Sequence, residues 1–202
     1  MMAIASIVEG DGEVVALPLL LRRMAAELDP GTLVNPLQPI RVRRDKFINK
    51  EEEFRRQLLL AAAKCGDGGW ILIVLDADDD CPATLGAQLF QRAQEHVPHR
   101  RISVVLANRE FEAWFIAAAQ SLHEVRGFSF DPNEQVDAEV PRDAKGWMKA
   151  RMQRRAYSPL LDQPAFTASI DLQQAGENSR SFRKLMKEWR MNTQVPPAVV
   201  AE

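Results

Sequence analysis

Acidic side chains recur where apolar runs end, and of all the residues in this chain their type and spacing bear most directly on chemistry. Ile71-Leu72-Ile73-Val74-Leu75 is closed by Asp76-Ala77-Asp78-Asp79-Asp80, and Ala3-Ile4-Ala5-Ser6-Ile7-Val8 runs into Glu9-Gly10-Asp11-Gly12-Glu13. Ile102-Ser103-Val104-Val105-Leu106-Ala107 is followed by Asn108-Arg109-Glu110-Phe111-Glu112. Crowded carboxylates repel one another, and either solvent or a hard cation such as Mg²⁺ held by their oxygens relieves the repulsion. The chemistry this suggests is a metal site. Helix capping is the competing use: Asp79 or Asp80 suits the N-cap of a helix that begins near Pro82, and Glu13 in a first helical turn suits the helix dipole. Capping employs one acid of the Asp run and leaves Asp76 and Asp78 unexplained. Glu110 and Glu112 stand about 200° apart on a regular helix. A helix there, capped by Asn108, therefore presents only one of them to a site.

The elements that must position these acids read as alternating strands and helices. Ile71–Leu75 has the length and composition of a strand buried on both faces, as parallel sheets require. Ahead of it the pattern predicts a strand at 3–8, a helix from Val14 to Leu28, an irregular link through Pro30-Gly31 and Pro36 to Pro39, and a more exposed strand at 40–44 that leaves Arg41, Arg43 and Arg44 near the surface. An amphipathic helix follows from Lys50 to Lys64, stopped by Gly66-Asp67-Gly68-Gly69. Beyond the central strand come a helix from Pro82 to Val97 and a strand at 102–107. This β-α-β-α-β-α-β succession predicts a doubly wound parallel sheet of about four strands, whose carboxyl ends are where ligands gather. Residues 1–125 form the expected α/β domain, 126–192 a basic helical extension packed on the sheet, and 193–202 a flexible tail. Within the extension, 126–141 reads as an acidic loop, 149–155 as a basic helical run, and the last helix takes Ser179 or Ser181 as its cap.

Gly10-Asp11-Gly12 at a strand-helix junction invites a dinucleotide reading. Val15 at the third glycine position and the acids Glu9, Asp11 and Glu13 beside a pyrophosphate exclude it. His96 and His99 flank Pro98 at a helix end and read as surface residues, and His123 has no partner in sequence. Cys65 and Cys81 are the only cysteines, so neither a disulfide framework nor a zinc ribbon is suggested, and both read as buried free thiols. No apolar run approaches the roughly 18 residues of a membrane span and the N-terminus lacks signal-peptide features, so the expectation is a cytoplasmic protein without membrane contact.

The net charge of −2 conceals an asymmetry. Residues 1–140 hold 15 Lys and Arg against 22 Asp and Glu, whereas residues 141–191 hold 11 against 5. An acidic centre beside a basic segment suits a metal-dependent enzyme acting on a polyanion, although a solvated helix face explains the basic segment as well.

Val8-Glu9-Gly10 after a first strand, Asp76-Ala77-Asp78 after a third and acids after a fourth resemble the Toprim domain of topoisomerases, primases and nucleases of the overcoming-lysogenization-defect type. Through Glu110-Phe111-Glu112-Ala113-Trp114, Lys145-Gly146-Trp147 and Asp162-Gln163-Pro164 the chain is similar, over nearly all of residues 3–190, to the Toprim-like bacterial domain-of-unknown-function family 4276. The resemblance implies that Glu9 is a general acid/base or metal ligand and that Asp76 and Asp78 hold Mg²⁺ or Mn²⁺. Asp80, Glu110 or Glu112 would complete a second metal position. It leaves Lys145, Arg180, Arg183 and Lys184 as candidate contacts to a nucleic acid or to its charged transition state. The expected activity is phosphodiester hydrolysis of DNA or RNA, in a bacterial defence or toxin setting, with an ABC-type ATPase as a separate partner chain because no Walker motif occurs here. The single Tyr, Tyr157, lies in the extension, away from any topoisomerase-like nucleophile domain. The alternatives are a non-catalytic module docking on an ATPase or a nucleic acid, and a receiver-like phosphoacceptor at Asp76 with Glu9 or Asp11 holding Mg²⁺. The latter lacks a clear fifth strand followed by Lys.

Overall fold

A computed structural model of the chain describes residues 1–153 and 155–193; the tail expected beyond Gln194 lies outside the described residues. The elements in order are β1 (Met2–Val8), α1 (Asp11–Leu28), β2 (Val34–Pro36), β3 (Ile40–Arg41), α2 (Arg44–Asn49), α3 (Glu51–Cys65) and β4 (Trp70–Asp76). They continue with α4 (Pro82–His96), β5 (Arg101–Ala107), α5 (Ala113–Ala117), α6 (Ala144–Ala150), α7 (Pro159–Ser169), α8 (Leu172–Asn178) and α9 (Arg180–Thr193). The strands form one parallel sheet in the order β2-β1-β4-β5, with the short β3 also paired to β1.

Alternation along β4 explains why the sheet needs helices on both faces. Trp70, Leu72 and Val74 enter one apolar cluster and Ile71, Ile73 and Leu75 the other. Successive side chains point to opposite faces of a strand, so a strand apolar at every position must be covered twice. One cluster takes α1, α5, α6, α7, α8 and α9 against the sheet, and the other takes α2, α3 and α4. Burying a large apolar side chain contributes roughly 1.5–3 kcal/mol, which makes β4 the best-anchored strand and its C-terminal residue, Asp76, the best-fixed acid.

Several local expectations change. The expected strand at 40–44 shrinks to Ile40–Arg41 because Arg44 already begins α2, and Val34–Pro36, in the stretch read as irregular, pairs with the start of β1. α1 begins at Asp11, so the acidic turn is already its first turn. The basic run after α6 is not a continuous helix: α6 ends at Ala150 and Gln153 N–H donates to the Gly127 carbonyl. Neither Asp79 nor Asp80 caps α4, whose N-cap residue is Cys81; that cysteine is exposed, and only Cys65 is buried. Ser179 does cap α9, its hydroxyl accepting from Phe182 N–H at 3.2 Å.

Candidate functional site

Asp76 ends β4 with 5% of its surface exposed. Its Oδ1 accepts the Phe111 N–H at 2.7 Å, and its Oδ2 faces the Lys145 ammonium at 3.4 Å. The same ammonium lies 2.9 Å from Glu110 Oε1 and 3.7 Å from Glu112 Oε2. Lys145 therefore gathers acids from the ends of two neighbouring strands. Its backbone N–H also donates to Glu110 Oε2 at 2.8 Å, so one carboxylate holds both the main chain and the side chain of the second residue of α6. Burial works to lower the pKa of Lys145, but Glu112, Asp76 and Glu110 together raise it, and the ammonium stays charged.

Glu110 and Glu112 both reach Lys145, contrary to the expectation from helical spacing. Residues 108–112 form a turn and α5 begins only at Ala113, so the 100° step of a helix does not apply. For the same reason Asn108 caps nothing; its N–H donates to Ser181 Oγ at the start of α9.

A second layer lies beneath these acids. Glu112 is fully buried, and its Oε1 accepts from Tyr157 O–H and from Gln163 Nε2, each at 2.9 Å. Burial raises its carboxyl pKa against the pull of Lys145, Gln163 and Tyr157. Glu13, read as a helix-dipole partner in the first turn of α1, is 2% exposed. Burial pushes its carboxyl up to about 7, although backbone N–H groups of Gly10 and Glu9 work the other way. Burial, then the charge of Glu13, pushes Asp76 well up too. Gly12 lets α1 come this close to α7, since a Cβ there would stand 2.2 Å from Gln163 Oε1 and 2.6 Å from the Pro159 carbonyl. Asp162, with no exposed surface, fixes the start of α7: it accepts from Ser158 N–H at 2.7 Å and pairs with Arg126 and Arg155.

On the outer side, Glu9 leaves β1 half-buried; burial, then Asp78, raises its carboxyl pKa. Arg44, expected at the surface, has a side chain only 10% exposed because it lies under the Asp loop. It donates to the carbonyls of Asp76 at 2.8 Å and Ala77 at 3.1 Å, and pairs with Asp78 at 3.4 Å and with Asp80. Asp78 and Arg109 adopt left-handed backbone, φ 50° and 67°, where they meet. Asp78 N–H donates to the Arg109 carbonyl at 2.9 Å, while the Arg109 guanidinium bonds the Asp78 carbonyl and Asp79. Strained backbone of this kind persists where the surroundings over-determine it, commonly at functional sites.

The structure thus gathers Asp76, Glu110 and Glu112 around Lys145, with Asp78 close enough to Glu9 to raise its carboxyl pKa. It engages the cations of α9 elsewhere. Arg180 pairs with Glu139, Arg183 donates to the Gly176 and Glu177 carbonyls, and Lys184 pairs with Glu188. Arg180 and Lys184 instead line a groove of about 990 Å³ between α4 and α9, floored by the edge of β5 that no other strand among the described residues pairs with. Sequence reasoning missed Glu13, Arg44, Tyr157 and Gln163 as parts of the site. Gly12 was the available signal for the first and last of these, because a glycine in the first turn of a helix permits a close neighbour.

Carboxylate oxygens are the donors that Mg²⁺ and Mn²⁺ take. Glu9 Oε2 and Glu112 Oε2 are buried without a hydrogen-bond partner among the described residues, and burial is the main cause of the raised carboxyl pKa values of Glu9, Asp76 and Glu112. The donor chemistry fits a divalent cation, with Glu9, Asp76, Asp78, Glu110 and Glu112 as the residues that would hold it. Among the described residues no three His, Cys, Asp or Glu side chains already converge as a cage. Lys145 stands between the acids of the inner group, and Arg44 holds Asp78 and Asp80.

No helix of the described residues is long and apolar enough to cross a membrane. A family model described as a domain of unknown function (DUF4276) matches residues 8–189. No curated protein and no solved structure matches the chain.

Proposed function

We propose, for a chain that belongs to the DUF4276 family, that the acidic site is a divalent-cation-dependent phosphodiesterase centre acting on DNA or RNA, on a Toprim-like arrangement of the sheet. The observation that carries this reading is the convergence of Asp76, Glu110 and Glu112 on Lys145 at the carboxyl ends of β4 and β5, with Glu9 and Glu13 at the end of β1. That is the edge of a parallel sheet where substrates bind.

Mg²⁺ or Mn²⁺ held by such carboxylates would offset the charge of a phosphodiester and of the oxygens at which it is cut. The chain's own groups supply the rest. Glu9 has a raised carboxyl pKa and an unpartnered oxygen, which suits it to accept a proton from an attacking water. Lys145, held charged, donates toward negative charge that develops on the phosphate. Arg44 and the left-handed pair Asp78 and Arg109 hold the Asp loop in place, and Tyr157 and Gln163 orient Glu112.

A second reading has its own observation. The groove between α4 and α9 leaves the β5 edge open, which suits a module that docks on another polypeptide, such as an ATPase chain. The receiver-like reading finds no support, because a phosphoacceptor must reach solvent and Asp76 is 5% exposed. Supercoiled plasmid, single-stranded DNA and transfer RNA incubated with Mg²⁺, Mn²⁺ or EDTA separate the first two readings. The enzyme reading expects metal-dependent cleavage that is lost in Asp76→Ala/Asp78→Ala while the fold survives. Absence of cleavage on every substrate would favour the docking module.

A further inference from the structure

We propose that Lys145 is the counter-cation of the acidic site, which a divalent ion must displace, and that its displacement moves the start of α6. The inference rests on the metal reading above and adds to it a coupling between the site and the C-terminal helices.

The argument is one of shared ligands. Glu110 spends both oxygens on Lys145, one on the ammonium at 2.9 Å and one on the backbone N–H at 2.8 Å. Asp76 spends Oδ1 on the Phe111 N–H and turns Oδ2 to the ammonium. Glu112 Oε2 has no hydrogen-bond partner among the described residues and looks toward the same ammonium from 3.7 Å. The oxygens that would enter a coordination shell are the ones that now surround Lys145, so both cations cannot use them at once. Two cations within about 4 Å also repel each other even when water screens them.

Displacement cannot be confined to the side chain if Glu110 is recruited, because that carboxylate also holds the Lys145 N–H. Lys145 is the second residue of α6, and two positions on is Trp147, whose ring packs beside Phe128 and Phe130 and under the Arg151 guanidinium at 3.6 Å. Trp70, Trp114 and Trp189 are fully buried in the core, whereas Trp147 is only partly buried. Its indole is therefore the one of the four placed to report motion of α6, and Trp147→Phe separates its signal from the others.

The test is calorimetric titration of Mn²⁺ into the whole chain, as wild type, Lys145→Met and Lys145→Arg, with Trp fluorescence followed during a parallel Mg²⁺ titration. Removing the competing charge is expected to tighten Mn²⁺ binding by on the order of tenfold or more in Lys145→Met. Lys145→Arg, which keeps the charge, is expected to bind like wild type. Wild-type fluorescence is expected to change on Mg²⁺ addition and the change to vanish in Trp147→Phe. Equal or weaker binding by Lys145→Met beside a wild type that binds would overturn the displacement and leave the metal reading standing. Tighter binding without a Trp147 signal would overturn the movement of α6. Absence of binding by every variant would overturn both the inference and the metal reading. Should Lys145→Met not fold, as judged by circular dichroism, Lys145→Gln carries the same expectation.

Discussion

Glu13→Gln is expected to flatten the pH dependence of stability in the metal-free protein. Glu13 is 2% exposed, and burial raises its carboxyl pKa from 4.5 to about 7. The unfolded chain therefore releases the proton between those two values while the folded chain keeps it. The sign follows: the contribution is fully present below pH 4.5 and is lost as the pH rises through about 7. At about 1.4 kcal/mol for each pKa unit, the interval corresponds to about 3 kcal/mol. That is an upper bound for the single variant, because Asp76, Glu112 and Glu9 also have raised pKa values and remain in place. Gln keeps the shape of the side chain and an acceptor for the Glu9 N–H, which now donates to Glu13 Oε2 at 3.2 Å, without carrying charge. The assay is urea unfolding in EDTA at pH 5, 6, 7 and 8. Wild type is expected to lose stability across that range, and Glu13→Gln to lose less by up to about 3 kcal/mol, becoming the more stable of the two at pH 8. Parallel pH profiles would refute the reasoning, since they would mean that Glu13 ionises in the folded chain as readily as in the unfolded one.

Tyr157→Phe removes a hydroxyl donor from the buried Glu112 carboxylate, and urea unfolding at pH 8 is expected to show a loss of about 1.5–3 kcal/mol, the range for a hydrogen bond to a charged group. Gly12→Ala drives a methyl against Gln163 and Pro159 where α1 meets α7, and thermal unfolding is expected to register about 1–3 kcal/mol of overpacking. Arg44→Met leaves the carbonyls of Asp76 and Ala77 without their guanidinium donor, and amide hydrogen exchange in residues 77–81 is expected to quicken by roughly tenfold or more. Exchange in that loop at the wild-type rate would show that Arg44 does not hold it.

The parts of the fold legible in the sequence were those with a period. β1, β4 and β5 are runs of apolar residues, α3 is stopped by Gly66 and α4 opens on Pro82, so element order and the acidic strand ends could be read directly. The outer strand could not: β2 and β3 are three and two residues long and are defined by their pairing to β1, a tertiary fact without a local pattern. At the site, Asp76 was legible because it closes a fully buried strand. The joint use of Glu110 and Glu112 was hidden because a turn replaces the expected first turn of a helix. Glu13 has the sequence signature of a helix-dipole partner, and its burial, with α1 packed along α7, is a tertiary fact without a local pattern. Tyr157 and Gln163 lie 45 and 51 residues from Glu112, and no spacing rule connects such distant positions. The C-terminal cations illustrate the converse: charge counting drew Arg180, Arg183 and Lys184 toward the acids, while each has a partner away from them.

The central claim is that the acids at the strand ends form a metal-dependent phosphodiesterase centre, and the most direct measurement is cleavage of supercoiled plasmid by wild type and Glu9→Gln in Mn²⁺ and in EDTA. Glu9 is half-buried at the mouth of the site and its side chain makes no ion pair among the described residues, so the substitution is expected to leave the fold intact while removing the proposed proton acceptor. The account predicts nicking by wild type in Mn²⁺, none in EDTA, and a loss of at least a hundredfold in Glu9→Gln, the scale of general-base catalysis at about 10²–10⁴. Equal nicking by the two proteins, or nicking that persists in EDTA, would contradict it.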